Sequence, residues 1–297
     1  MMMLPIAKRL SDFRPAARRA FTLIELMAIM AIVGVLAAIL LPALASARER
    51  SHGIYCLNNT RQLTLAWQLY ADDHGGLLPY NQAMAGTVLR TNANWVNNVM
   101  TWDLSSDNTN LQTITSAALG LYVASVTGIF HDPSDHALSG AQMAAGWSQR
   151  IRSYSMNAMV GDPGRALNNG QNVNNPGFRQ FLKSEQMPRP GEIFIFLDEH
   201  PDSISDGSFL DRDAPAINYS LSSAPNNQWG HLPASYHNRC GGFSFGDGHA
   251  ALHHWSRSST AVPAVPYAAS FPMPISASPV AESADFEWVV EHMSVEN

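Results

Sequence analysis

"RRAFTLIELMAIMAIVGVLAAILLPALA", residues 18–45, decides the architecture of this chain. From Phe21 to Leu44 it runs 24 residues with a single charge, Glu25. Wound as an α-helix, that run is about 36 Å long, enough to cross a hydrocarbon layer of about 30 Å. Directly before it stand Lys8, Arg9, Arg14, Arg18 and Arg19 against one acid, Asp12. Positive charge ahead of a membrane helix stays in the cytoplasm, which sends the carboxyl-terminal body outward. A carboxylate inside hydrocarbon is costly and calls for a partner.

The segment admits three readings. A secretory signal cut after Ala47 would use the small-x-small pattern Ala45-Ser46-Ala47, but such signals have an apolar region of only about 7–15 residues. A plain signal anchor leaves Glu25 incidental. In the third reading the chain is cut between Ala20 and Phe21. The new α-amino group is then a cation at the helix tip, with Glu25 four residues along on the same face. That pair can neutralise within one subunit, or across two packed helices, where it sets their register.

At these residues, "RRA/FTLIELM", the sequence resembles the type IV prepilins, including the pseudopilins of type II secretion. The resemblance implies cleavage after Ala20 by a prepilin peptidase and N-methylation of Phe21. It implies that Glu25 is the assembly acid and that Pro42 is the pilin helix kink. Proline in an ordinary helix interior costs about 3 kcal/mol, yet membrane-embedded helices accommodate it. Ala20 stands where the family nearly always has Gly. Further implied partners are an inner-membrane assembly platform, membrane lipid and sibling pilins or pseudopilins. The implied location is a single pass of the inner (cytoplasmic) membrane with a periplasmic or extracytoplasmic head.

Beyond Pro42, apolar positions Cys56, Leu63, Ala66, Trp67 and Tyr70 keep helical spacing until "DDHGG" and Pro79. The spacing predicts one helix from about Phe21 to Tyr70, bent near Ser51, His52 and Gly53. Strands are expected in "SYSMNAMV", "EIFIFLDEH" and "GGFSFGDGHAALHHW". The last is a hairpin, with Phe243 and Phe245 alternating ahead of the Asp247-Gly248 turn. Residues 161–180 read as a loop, and "DFEWVVEHM" as a last short strand or helix. The class is α+β: a long amino-terminal transmembrane helix packed on a mainly antiparallel, pilin-like sheet. The organisation read from sequence is a leader (1–20), an assembly helix (21–44), a second helical half (45–78), a head (79–255) and a Pro/Ala/Ser-rich tail (256–297).

Of the 297 residues 46% are apolar and 14% charged, which suits a packed core rather than disorder. The total charge of −6 conceals a basic leader, so the rest of the chain carries −10. An acidic body excludes nucleic acid as the expected partner. The two cysteines, Cys56 and Cys240, allow at most one disulfide.

"YHNRCGGFSFGDGHAALHHW" places nine residues between His237 and Asp247-Gly248. This pattern resembles a large subfamily of prepilin-like proteins, as do "RQLTLAWQLYADDHGGLLP", "PSD", "RSYSMN" and "FLDE". In "IFHDPSD" that subfamily usually has Cys where Asp132 stands, so a disulfide from Cys56 to this position is ruled out. Structurally, Asp247 and Gly248 form a turn and His237 bonds across it. Functionally, His237, Asp247, His249 and His253 or His254 are the residue types that hold zinc or calcium. The acids Asp198, Glu199, Asp202, Asp206, Asp211 and Asp213 read as a solvated loop, with calcium as the alternative. Trp95, Trp102, Trp147 and Trp229 read as core, with a sugar groove as the alternative. No resident cofactor is implied. Gly242-Phe243-Ser244-Phe245-Gly246 has the Gly-x-Ser-x-Gly spacing but falls inside the expected hairpin strand rather than at a strand-to-helix elbow, and no phosphate loop is present, so the reading is a structural subunit and not an enzyme. Its rivals are a membrane-anchored module binding calcium, polysaccharide or a secretion substrate, and a metal-dependent hydrolase using His237, Asp247 and His249.

Overall fold

The computed structural model describes residues 21–84, 87–88, 90–124, 126–173, 175–210, 215–216, 219–220, 228–266, 275–276 and 284–297. The leader with Ala20, the acids Asp211 and Asp213, and most of the proline-rich stretch 267–283 lie outside the described residues. The chain divides into two units, Met1–Ala45 and Ser46–Asn297.

Helix α1 (Leu23–Asp73) is 51 residues long and includes Pro42. In the first unit its side chains are apolar on every side and exposed, from Leu23 and Ile24 through Leu41 and Leu44. A helix hydrophobic all round is suited to lipid or to a bundle of its own kind. This segment is long and apolar enough to cross a membrane.

In the second unit α1 becomes one-sided. Gly53, Cys56, Thr60, Leu63, Thr64, Trp67, Tyr70 and Ala71 are buried, an i, i+3, i+4, i+7 stripe, while Ile54, Tyr55, Leu65 and Leu69 stay exposed. The stripe meets a five-stranded sheet made of β1 (Tyr154–Asn157), β2 (Phe194–Asp198), β3 (Ser208–Phe209), β4 (Cys240–Phe245) and β5 (Ala250–His254), in the order β5-β4-β2-β1-β3. Neighbours are antiparallel except β1 and β3, where Met156 pairs with Ser208 in parallel. The sheet is therefore mainly antiparallel, as expected, with one parallel pair at its edge.

Glycine lets α1 lie close on β4. A Cβ on Gly242 would strike the Cys56 sulfur. Along the same contact Thr64 Oγ1 donates to Ser244 Oγ at 2.7 Å and Gln68 Nε2 to the Gly246 carbonyl at 3.0 Å. The sheet's other face carries a second core of Phe194, Leu197, Phe243, Phe245 and Trp255, closed by Phe286, Val289 and Met293. The last three come from helix α2 (Ala284–Glu291) and the residues after it. "DFEWVVEHM" thus takes the helical one of its two expected forms, and residues 284–297 are built into the head. They bury apolar side chains, and the Phe194 N–H donates to the His292 carbonyl at 3.0 Å.

Candidate functional site

At the amino terminus, Thr22 and Glu25 form a reciprocal capping box. Glu25 Oε2 accepts from the Thr22 N–H at 2.9 Å and from Thr22 Oγ1 at 2.7 Å. The Glu25 N–H donates back to Thr22 Oγ1 at 3.3 Å. A helix start leaves its first N–H groups without partners, and Thr-x-x-Glu satisfies two of them. Within a single chain Glu25 thus finishes its own helix. Phe21, Glu25 and the apolar run form one continuous exposed surface.

At the hairpin, the structure gives His237 and Asp247 different partners. Asp247 shapes the turn: its Oδ1 accepts from the His249 N–H at 3.0 Å and lies 2.6 Å from His249 Nδ1. Gly248 sits at φ +92°, a backbone conformation open to glycine. Burial is the largest single influence on the Asp247 carboxyl and pulls it up, but the hydrogen bonds from His249 together outweigh it and hold the group below its usual range. His249 stacks on Phe245 and His253 on Trp288. The turn therefore forms as the structural reading expects, but His237 does not bond across it.

His237 instead reaches inward. Its Nε2 lies 2.9 Å from Asp132 Oδ2 and 3.8 Å from Asp198 Oδ2. Cys56 Sγ lies 3.9 Å from the same Asp198 oxygen. One donor atom from each of Cys56, Asp132, Asp198 and His237 falls within 4.8 Å of all the others, and all four residues are buried. They arrive from α1, from the loop after the 3₁₀ turn Thr127–Phe130, from the end of β2, and from the loop leading into β4.

Around them, the Ser134 N–H donates to Asp132 Oδ1 at 2.6 Å, and the Tyr154 hydroxyl is 3.5 Å from Asp132 Oδ2. Among the described residues, Asp198 Oδ1 and His237 Nδ1 find no hydrogen-bond partner. Burial pushes the Asp198 carboxyl and the Cys56 thiol far up, with Asp132 adding to both. Burial also works against an ionised Asp132, but the His237 hydrogen bond and charge prevail and hold it below its ordinary value.

The acids expected in a solvated loop are buried as well. Glu199 Oε1 lies 2.9 Å from both Ser203 Oγ and His231 Nδ1, and Asp202 Oδ2 accepts from the Val265 N–H at 2.7 Å. Asp206 Oδ1 accepts from the Ser208 N–H at 3.3 Å, so Glu199, Asp202 and Asp206 each have a protein partner on one carboxylate oxygen. Trp95 and Trp229 are core residues, as expected, whereas Trp102 is partly exposed beneath the Arg150 guanidinium, 4.0 Å from its ring centre. Cys56 and Cys240 are both free thiols.

A capped amino-terminal helix, apolar from Leu26 to Leu44, together with an α+β head makes the fold pilin-like. Residues 15–41 match the family model described as the prokaryotic N-terminal methylation motif. The chain is also similar to the fimbrial protein EcpC of Eikenella corrodens, 39% identical over 83 residues, which cover 28% of this chain and 54% of that protein. The match thus spans about half the length of that relative. No solved structure matches the chain significantly. On these findings the chain is similar to type IV prepilins and pseudopilins through its amino-terminal motif, and its amino-terminal helix is suited to membrane anchoring.

Proposed function

We propose that this chain is a structural subunit of a type IV pilus-like filament or type II secretion pseudopilus. A prepilin peptidase removes residues 1–20 and Phe21 is N-methylated. Residues 21–44 hold the subunit in the inner membrane, leader side cytoplasmic, until an assembly platform extracts it. Packing of these helices against those of sibling pilins then builds the filament, and the head supplies specificity without catalysis. The observation that carries this reading is a methylation motif at 15–41 ending in a helix whose apolar side chains are exposed all round. Such a surface is stable in lipid or in a bundle, not in water.

The capping box makes a clean test available. Glu25→Gln keeps the side-chain acceptor at the third helical position and removes the charge. Thr22→Val loses the cap and keeps the charge. Processing is read from intact mass, where loss of residues 1–20 with one added methyl is expected. Assembly is read from the sedimentable fraction sheared from cells. Glu25→Gln should be processed but leave the sheared fraction, while Thr22→Val should remain in it. Normal assembly of Glu25→Gln would remove the charge-pairing mechanism. A mature chain beginning after Ala47 would remove the whole reading.

A further inference from the structure

We propose that Cys56, Asp132, Asp198 and His237 form a closed structural zinc site inside the head. The inference stands on donor chemistry and geometry and is independent of filament assembly.

A tetrahedral zinc ion binds thiolate at about 2.3 Å and imidazole or carboxylate at about 2.0–2.1 Å, so neighbouring donors stand roughly 3.3–3.6 Å apart. The separations here are 2.9 Å from His237 Nε2 to Asp132 Oδ2, 3.8 Å from His237 Nε2 to Asp198 Oδ2, and 3.9 Å from Cys56 Sγ to Asp198 Oδ2. These three straddle the required edge by about half an ångström and the other three separations stay within 4.8 Å, so closing the set takes side-chain rotation of the four residues. One sulfur, one nitrogen and two oxygens also select among metals. Calcium takes six to eight oxygens and magnesium a hydrated octahedron of oxygens, which a thiol and an imidazole do not supply. Zinc accepts all three donor types in a fourfold set.

Burial argues for a structural rather than a catalytic site. All four residues are closed off from solvent, so four protein donors fill the shell and no position is left for substrate water. Asp198 Oδ1, buried and without a partner, is free to turn in as a second carboxylate oxygen. With a thiolate, two carboxylates and a neutral imidazole, the bound ion leaves one net negative charge. The Ser134 N–H at 2.6 Å and the Tyr154 hydroxyl at 3.5 Å face it through Asp132. Because the four donors come from distant parts of the chain, binding free energy becomes folding free energy of the head.

The test uses the full chain extracted in detergent, stripped with a chelator and titrated with ZnCl₂ against a chromophoric competitor. One zinc per chain is expected. Binding should fall at least 100-fold in Cys56→Ser and in His237→Ala, and stay unchanged in His249→Ala, which alters only the exposed hairpin pair. CoCl₂ should give tetrahedral visible bands and a thiolate-to-cobalt charge-transfer band in the wild type, which decides the matter even if the variants misfold. Less than stoichiometric zinc, equal binding by wild type and Cys56→Ser, loss that follows His249 instead, or a cobalt spectrum lacking the thiolate band would overturn the site.

Discussion

Substituting Gly242 tests how closely α1 is seated on the sheet. A methyl at this position is driven onto the Cys56 sulfur. Cys56 is fully buried, so its sulfur can yield only by turning about χ1, away from its place near Asp198. Overpacking of this kind costs about 1–3 kcal/mol. Gly→Ala returns about 0.4–1 kcal/mol by restricting the unfolded chain. The net loss expected for Gly242→Ala is therefore roughly 1–2 kcal/mol, since the steric cost exceeds the entropic gain. In a unit the size of Ser46–Asn297, each kcal/mol moves the midpoint by about 2–4 °C, so a fall of roughly 2–8 °C is expected. Cys56→Ala alone should cost about 1 kcal/mol, the value of one buried methylene-sized group. In the double variant the new methyl occupies space the sulfur has left, so its stability should be no lower than that of Cys56→Ala. The resulting coupling of about 1–2 kcal/mol exceeds the roughly 0.5 kcal/mol seen between independent sites. Thermal unfolding of the detergent-solubilised full chain, followed by tryptophan fluorescence in excess chelator so that metal does not contribute, measures all four corners of the cycle. Strictly additive costs, or an unchanged midpoint for Gly242→Ala, would refute the packing argument.

Two further outcomes concern the second core. Phe286 is buried edge-to-face on Trp229 with ring centres 5.0 Å apart, so Phe286→Ala should cost about 3–5 kcal/mol in denaturant unfolding. Leu121→Ala, at a side chain 84% exposed, should stay within about 0.5 kcal/mol, and equal effects would contradict the assigned core. Acid should loosen the same region in two steps. Burial, then the neighbouring His292 and His254, hold the His253 imidazole below its ordinary value against the opposing pull of Asp285. The unfolded chain takes up that proton first, so stability falls as pH drops below about 6.5. For Asp285, burial pulls upward but hydrogen bonds from Ser256 and Arg257 prevail and hold the carboxyl low. Its contribution is present above about pH 3.9 and lost as pH falls through the lower folded value. Melting curves from pH 7 to 3 should fall less steeply through the upper window in His253→Phe and through the lower one in Asp285→Asn, the remainder belonging to His131 and His200 above and to Asp132 and Asp247 below; profiles unchanged by both would disprove the assignment.

How much of this was legible depended on whether the information was local. The apolar run, the change to a one-sided stripe at Cys56, the Phe243/Phe245 alternation and the Asp247-Gly248 turn are short-range patterns, and each formed as read. The capping box is equally local, since Thr-x-x-Glu ahead of an apolar run was open in residues 22–25. Strand β3 was hidden because two residues carry no period, and its parallel pairing with β1 is a property of the sheet. The acids after Asp198 looked solvated because sequence counts charges and does not show the His231, Ser203 and Val265 groups that receive them. The same blindness moved His237 to the wrong partner. Nothing in the spacing of residues 56, 132, 198 and 237 joins them; the register of β2 against β4, the seating of α1 on Gly242 and the Ser153 N–H bond to the Phe130 carbonyl do. One trace was present: Asp132 stands where the resemblance expects the cysteine that would pair with Cys56, and the structure does bring positions 56 and 132 together.

That juxtaposition lies at a mechanically meaningful place. Gly53 and Cys56 are the first fully buried positions of α1 within the head, with a Cβ on Gly53 set to contact Leu252 and His237. Beyond them the helix is held by distributed packing through Leu63, Trp67 and Tyr70, together with the Thr64 and Gln68 hydrogen bonds. A filament subunit extracted through its helix would feel the load first at the leading edge of this interface, where peeling proceeds one contact at a time. Dispersion contacts are individually weak, so a leading edge made only of them yields in sequence. A junction joining α1, the loop at Asp132, the end of β2 and the loop at His237 makes those elements yield together. Such a junction can be covalent, ionic or metal-bound, and its position matters more than its chemistry. In this chain the Asp132–His237 pair beside Cys56 supplies the polar donors at that edge, and a bound ion would turn four separate side chains into one link.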